Sequence, residues 1–205
     1  MGHGLNSVLC DNKLQHFFGA RGALDIVELP SHILERICTD RAVVEELVAC
    51  SQAGSAADAA VRTIMFQRSF CSSLRRLQSL AMAKIDLALH GSSPPASVDE
   101  LRAAVQAASP TVPGFPTPDF AYLHLSLHHV LAYPGNYYAY AYASAIAELV
   151  WQRHFEQDSH NRIAGQVLVD QVLRPGGALN VNAALSTLVP GSVVAVADGF
   201  CPGDV

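Results

Sequence analysis

Charged residues are scarce in this sequence, at 15% of its 205 residues, while apolar residues make up 50%. That balance excludes an extended disordered chain and allows a sizeable buried core. The net charge is -5, and Arg75-Arg76 is the one adjacent pair of Lys or Arg residues, so nothing indicates a nucleic-acid partner. The long uncharged stretch Ala121–Ala147 is broken by Pro134 and Gly135, so we expect no membrane-spanning helix.

The cysteines of the chain also show no spacing that is typical of disulfide pairs or metal sites. There are five, an odd number, they are widely spaced, and no C-x-x-C occurs. A disulfide framework or a cysteine zinc site is therefore disfavoured, and we expect buried free thiols in a reducing compartment. The first residues, Met1 to Gly4, resemble neither a signal peptide nor an Arg-rich transit peptide.

What is present is mostly helical patterning. Apolar residues recur at three- and four-residue spacing from Pro30 to Cys50, with a turn expected at Thr39-Asp40. The stretch Ser55–His90 contains no Gly or Pro and predicts one long helix or two stacked ones. Ser97 followed by Glu100 predicts a capped helix start.

Further along, a proline-rich loop is expected at 109–118 and a helix ending near Leu131. Two more helices are expected, over Asn136–Phe155 and Arg162–Leu173, and the best strand candidate is Val193–Val196. The fold class is therefore mainly α. We take residues 1–191 as one domain and residues 192–205 as a tail of unclear structure.

One constellation of metal-binding residue types lies near the start. His3 is followed 25 positions later by Glu28, in the pattern Glu28-x-Pro30-Ser31-x-x-x-Glu35. Imidazole and carboxylate groups are zinc ligands, and Pro30 suits the first turn of a helix because its missing N–H is not needed there. A terminal histidine and a surface glutamate would explain either residue alone, but the spacing and the pattern together favour a metal site.

A second constellation combines histidine and tyrosine around a Pro-Gly turn. His129, Tyr133, Tyr137 and Tyr140 follow one another at intervals of three or four residues. Their side chains can donate hydrogen bonds to an oxyanion. A tyrosine-rich face packed in a core is the alternative, and a register one residue earlier would place His128 in the position of His129.

Together these segments resemble the zinc metallopeptidases of the thimet-oligopeptidase type, the M3 family. Met1-Gly2-His3 resembles the end of the family's H-E-x-G-H motif, and Glu28 falls on its third zinc ligand. The resemblance implies a zinc endopeptidase acting on short or unstructured peptides, with His3 and Glu28 as metal ligands.

The same resemblance assigns roles to the second constellation. It implies that Tyr140 and Tyr137 donate to the oxyanion, that His129 assists, and that Tyr133 binds substrate. In this stretch Ala132 replaces a glycine that is usual in the family, and Pro134 stands where the family has a small, flexible residue.

Arg21, in Gly19-Ala20-Arg21, resembles a segment of the family's mitochondrial intermediate peptidase branch and is expected to contact substrate. That branch implies the mitochondrial matrix and presequence peptides, with the cytoplasm as the alternative location. The family's first zinc-binding His and its general-base Glu would precede Met1, so we expect a chain truncated within the motif and inactive alone. The alternative is a non-catalytic helical fragment that binds a peptide or a partner. The sequence leaves the oligomeric state open.

Overall fold

A computed structural model describes residues 1–50, 57–70, 72–109 and 128–191. This part of the chain is built from helices and turns and contains no strand, as the patterning predicted. The α-helices are α1 (Gly2–Leu9), α2 (Leu24–Val27), α3 (Leu29–Cys38), α4 (Arg41–Cys50), α5 (Ala57–Ser69), α6 (Ser72–His90), α7 (Val98–Ala108), α8 (His128–Ala132), α9 (Tyr138–His154), α10 (Arg162–Leu168) and α11 (Val181–Leu188).

The chain divides into two compact units. The first consists of Met1–Leu34 and Ile146–Val205, and the second of Glu35–Ala145. In the first unit, α1 packs against a π-helical turn, Val169–Leu173, that continues directly from α10. The extra residue of this turn shows in the hydrogen bond from Arg174 N to Val169 O. A wider turn of this kind is often found at functional positions in helices.

Two 3-10 turns of the first unit also pack together, Gln15–Phe17 and Gly176–Ala178. Gly176 has a φ of 57°, and a Cβ there would lie 2.6 Å from Cys10 Sγ. A side chain is thus excluded by both conformation and space. The apolar core of this unit is formed by Ile26, Leu29, Ile33, Val150, Trp151, Phe155, Ala164, Val172, Leu173, Ala184, Leu185, Leu188 and Val189.

In the second unit, α4 packs against α5 and α6 packs against α7. Ser97 caps α7 by accepting a hydrogen bond from Glu100 N at 3.2 Å, as expected from the sequence. The Glu100 carboxylate accepts from Ala96 N, one residue before the cap, which satisfies a second free N–H. The core of this unit contains Val44, Val61, Ala81, Met82, Ala83, Ile85, Val105, Val130, Ala139 and Ala143.

Several helix boundaries differ in detail from the sequence prediction. Of the two alternatives for Ser55–His90, the described residues show two helices, Ala57–Ser69 and Ser72–His90. The expected Arg162–Leu173 helix changes to π geometry at Val169. The helix expected from Asn136 starts at Tyr138. The proline-rich loop beyond Ser109, the strand candidate Val193–Val196 and the tail all lie outside the described residues.

The expectation of buried thiols is only partly right. Cys10 is a buried free thiol, but Cys38 and Cys50 are exposed free thiols. Cys38 and Cys50 are the last residues of α3 and α4, where the side chain can point to solvent rather than into the apolar face. Across the described residues, no helix has the length and apolar character needed to span a membrane.

Candidate active site

His3 is positioned by the close approach of α1 to the start of α3. Gly2, beside it, is buried, and a Cβ at that position would lie 2.5 Å from both Cα and Oγ of Ser31. Only glycine allows this separation, because real Cβ atoms do not come so near to backbone atoms. Gly2 of one motif is therefore packed directly onto Ser31 of the other.

Glu28 is the single residue between α2 and α3. It is the C-cap of α2, and its carbonyl accepts from His32 N at 3.1 Å. The next residue, Leu29, is completely buried and Pro30 is also buried, so the backbone on this side is anchored in the core. The Glu28 side chain keeps 18% of its surface exposed.

The structure brings His3 and Glu28 together. His3 Nε2 lies 3.2 Å from Glu28 Oε2, and the His3 side chain is 47% exposed. Two ligands held about 2.0–2.1 Å from a tetrahedral zinc ion are separated from each other by about 3.3 Å. The pair thus has the spacing of two ligands of one metal ion, and equally that of a direct hydrogen bond.

These two residues fit part of a zinc site. A catalytic zinc takes three protein ligands and one water, and among the described residues no group of three His, Cys, Asp or Glu side chains is placed to hold a metal.

His129 lies at the centre of the second constellation. Its ring centroid is 5.3 Å from that of Tyr133, 5.1 Å from that of Tyr137 and 5.4 Å from that of Tyr140. Tyr137 and Tyr140 are also in edge contact with each other, at 5.4 Å. We call these four residues the tyrosine cluster. The neighbouring His128 is exposed, so the alternative register is not the one that forms the cluster.

The tyrosine cluster is not a closed core. Tyr133 is 59% exposed, and the other three rings are half-buried. The sequence interpretation placed Tyr137 and Tyr140 on one helix, but Tyr137 precedes the first residue of α9, Tyr138. The rings still meet because Tyr137 stands at the helix start, one turn before Tyr140.

Asp86 holds the backbone on which this cluster is built. Its carboxylate accepts hydrogen bonds from Gly135 N at 3.0 Å and from Tyr137 N at 2.8 Å. The link from Asp86 to the Pro134-Gly135 turn is not among the features predicted from the sequence. The sequence signal for it is a carboxylate on the apolar face of α6.

Arg21 is fixed in the loop between α1 and α2. Its Nη1 donates to the Gln15 carbonyl at 3.0 Å. A Cβ on Gly177 would come within 2.9 Å of the Arg21 carbonyl carbon. The 3-10 turn Gly176–Ala178 therefore packs directly against the backbone of this loop. Arg21 lines a cleft of about 550 Å³ together with Ser7, Asn12, Lys13, Gln15, Phe18 and Ala20.

Comparison with known proteins agrees with these motifs. The family model described as Peptidase family M3 matches residues 1–189. The chain is 30% identical to the mitochondrial intermediate peptidase of Rattus norvegicus over 86% of its own length and 25% of that protein. It is 29% identical to the protein of the same name from Candida glabrata, over 88% of the chain and 24% of the relative.

A plant relative is matched over more of the chain. Identity to the mitochondrial intermediate peptidase of Arabidopsis thaliana is 25%, over 98% of this chain and 29% of that protein. The chain thus spans about a quarter of the length of these curated relatives. Because the family model covers nearly all of its residues, this chain belongs to peptidase family M3.

Proposed function

We propose that this chain forms part of the catalytic domain of a zinc metalloendopeptidase and supplies two of its metal ligands. The observation that carries this proposal is the 3.2 Å separation of His3 Nε2 and Glu28 Oε2, made by residues that are 25 positions apart. The packing of Gly2 on Ser31 supports it, because the two motifs fit against each other only with glycine at that position.

A bound zinc ion would activate a water molecule and polarise the peptide carbonyl. The task of this chain's residues is to present an unprotonated His3 Nε2 and an ionised Glu28 side by side. Both side chains remain partly exposed, so they can exchange their mutual contact for a metal without unfolding α1 or α3.

The tyrosine cluster is proposed to bind the substrate peptide. By resemblance to the family, Tyr140 and Tyr137 donate hydrogen bonds to the oxyanion, His129 assists and Tyr133 contacts the substrate. Hydrogen bonds of this type, when preorganised, are worth about 2.7–4 kcal/mol per donor in other hydrolases. The edge contacts of His129 with Tyr137 and Tyr140 support the assignment, since they restrict where those hydroxyls can point. Arg21 is proposed as a further substrate contact.

Short or unstructured peptides are the proposed substrates, and mitochondrial presequences are the specific class that the family resemblance implies. The names of the relatives place those proteins in mitochondria, which supports this choice. The proposed location is correspondingly the mitochondrial matrix. Full-length protein expressed with a fluorescent tag tests this directly. Signal confined to the cytoplasm would leave the peptidase assignment standing but remove the presequence substrates.

The 205-residue chain alone is expected to be inactive. Two ligands are fewer than the three that a catalytic zinc takes, and no general base is assigned in the described residues, a group whose contribution is typically about 10²–10⁴-fold. The test is hydrolysis of an internally quenched peptide with zinc added, with chelator added, and with neither. Chelator-sensitive cleavage by this chain would contradict the proposal.

One observation favours a second candidate, a non-catalytic peptide- or partner-binding fragment. The tyrosine cluster is preformed and partly exposed although the described residues hold only two candidate ligands. If the chain binds peptide with an affinity that changes neither on addition of zinc nor on loss of His3, this candidate is favoured over the peptidase.

A further inference from the structure

Asp86 is the one ionisable side chain that is fully buried among the described residues, with 0% of its surface exposed. It lies on α6, on the face that also buries Ala81, Met82 and Ile85. Burial of an unpaired carboxylate in such a place is costly, and a buried carboxylate has to be hydrogen-bonded to be tolerated. The partners of Asp86 therefore show what it does.

Three donors converge on this carboxylate. Oδ1 accepts from Gly135 N at 3.0 Å and from the His90 ring at 2.9 Å, and Oδ2 accepts from Tyr137 N at 2.8 Å. The two amides are 49 and 51 residues away in the chain. Both oxygens are used, so the position of the carboxylate fixes the positions of both amides.

The two amides belong to the turn that starts α9. Gly135 has a φ of 72°, a conformation that glycine adopts without strain, and Tyr137 immediately precedes the first helical residue. A helix start has free N–H groups and the positive end of the helix dipole. By accepting from the backbone N–H just before α9, the Asp86 carboxylate does from another helix what the Glu side chain of a capping box does within its own helix.

His90 completes the arrangement from one turn further along α6. Its Nδ1 contacts both the Asp86 carbonyl at 3.0 Å and Oδ1 at 2.9 Å. A carbonyl oxygen only accepts, so Nδ1 has to carry the hydrogen. The imidazole thus orients the carboxylate oxygen that receives Gly135 N, and a Cβ at Gly135 would lie 3.8 Å from the His90 Cβ.

We propose that Asp86 is a positioning residue that sets the geometry of the tyrosine cluster by capping α9 from α6. Fixing the Tyr137 amide fixes the Cα from which the Tyr137 ring extends, and α9 then places Tyr140 one turn later. The proposal rests on the proposed function in one respect, namely that the clustered rings are the ones that contact peptide. Asp86 itself touches no substrate.

The test uses the 205-residue chain and the isosteric variant Asp86→Asn. Asparagine keeps one carbonyl oxygen but presents an NH₂ group to the second donor, so at least one of the two amide bonds is lost. Asp170→Asn is the control, because Asp170 is a 40% exposed carboxylate paired with Arg174 in the other unit. Amide hydrogen exchange, NOEs between ring protons and affinity for a fluorescein-labelled unstructured peptide are the measurements.

Asp86→Asn is expected to raise amide exchange at Gly135 and Tyr137 by about tenfold or more, which corresponds to ~1.4 kcal/mol. NOEs from His129 to Tyr137 and Tyr140 should weaken, and the peptide affinity should fall, while Asp170→Asn changes none of these. Exchange at wild-type rates in Asp86→Asn would overturn the proposal. So would faster exchange with ring contacts and peptide affinity unchanged.

Should Asp86→Asn fail to fold, His90→Gln tests the same arrangement with the carboxylate intact. The His90 ring shares Oδ1 with Gly135 N, whereas Tyr137 N uses Oδ2. Exchange should therefore accelerate more at Gly135 than at Tyr137, and wild-type exchange at Gly135 would contradict the proposal. If the wild-type chain binds no peptide, the substrate role of the tyrosine cluster fails, while amide exchange still decides whether Asp86 caps α9.

Discussion

Gly2 lies against Ser31 so closely that a Cβ on Gly2 would be 2.5 Å from the Ser31 Cα. This contact joins the helix that carries His3 to the helix that follows Glu28. Any side chain at position 2 has to push these two helices apart. Because His3 and Glu28 are separated by only 3.2 Å, a small displacement is enough to break the metal-ligand spacing.

We therefore expect Gly2→Ala to weaken zinc binding by about tenfold or more (~1.4 kcal/mol). Overpacking of this kind typically costs about 1–3 kcal/mol, which should also lower the stability of the first unit. Zinc affinity is measured by competition with a chromophoric chelator, and stability by thermal unfolding.

Gly4→Ala is the matched control for Gly2→Ala. Gly4 is on the same helix two residues later, and nothing lies within 4 Å of the Cβ position there. Alanine in a helix interior is favoured over glycine by about 0.5–1 kcal/mol, so Gly4→Ala should be neutral or stabilising and should bind zinc normally. Equal behaviour of the two variants would show that the Gly2 contact does not position His3.

The two proposed ligands should act as a unit. His3→Ala and Glu28→Ala are each expected to reduce zinc affinity by about tenfold or more, and the double variant should lose little beyond either single one, because a lone ligand holds the ion poorly. His16→Ala, which removes an exposed histidine from the 3-10 turn of the same unit, is the control. Independent, additive losses would indicate that His3 and Glu28 do not share one ion.

The 3-10 turn Gly176–Ala178, which packs against the backbone of Arg21, gives a prediction about stability. Gly177→Ala should destabilise the first unit by about 1–3 kcal/mol, since the new Cβ would meet the Arg21 carbonyl group and the Phe17 Cα. Gly165→Ala, in α10 with open space at its Cβ position, should instead be neutral or stabilising. Chemical denaturation monitored through Trp151, which is buried in this unit, measures both. A stable Gly177→Ala chain would mean that the loop can move aside.

The exposed tyrosine of the cluster should matter for binding and not for folding. Tyr133→Ala is expected to lower peptide affinity by about 0.5–1.5 kcal/mol, the usual worth of an aromatic contact, with the unfolding free energy changed by less than about 0.5 kcal/mol. Leu131→Ala removes a neighbouring side chain that is 79% exposed and should leave both quantities unchanged. Fluorescence anisotropy of a labelled peptide and thermal unfolding distinguish the two variants. Equal affinities for Tyr133→Ala and wild type would exclude Tyr133 as a substrate contact.

Helix identities could be predicted from local sequence because the signals are local. The break near Thr39 and the cap at Ser97 depend on residues within four positions of each other, and the structure places both where expected. The first residue of α9 could not be predicted from its neighbours in the sequence. Tyr138 is the first helical residue because the Tyr137 amide is bound by Asp86, a residue from another helix.

In the candidate site, too, some features were predictable from the sequence and others depend on contacts between distant residues. The proximity of His3 and Glu28 was predicted from their spacing and from the family resemblance, and the structure has them in contact. The reason for the glycine at position 2 was not predictable, since it depends on how near Ser31 comes in three dimensions. Likewise the central position of His129 among three tyrosine rings required the Pro134-Gly135 turn to fold back, which periodicity alone does not show.

The bond between Asp86 and Tyr137 closes a span of 51 residues, and this has a consequence for how the chain can vary in length. The closure entropy of a flexible span grows only with the logarithm of its length, so doubling it costs about 0.6 kcal/mol. Residues added at the exposed Ser92-Ser93 turn, inside that span, would leave the hydrogen bonds from Gly135 N and Tyr137 N to the Asp86 carboxylate unchanged. Insertions and deletions among homologues should therefore concentrate between the two anchor points, while the distance in sequence from Gly135 to Tyr140 stays constant.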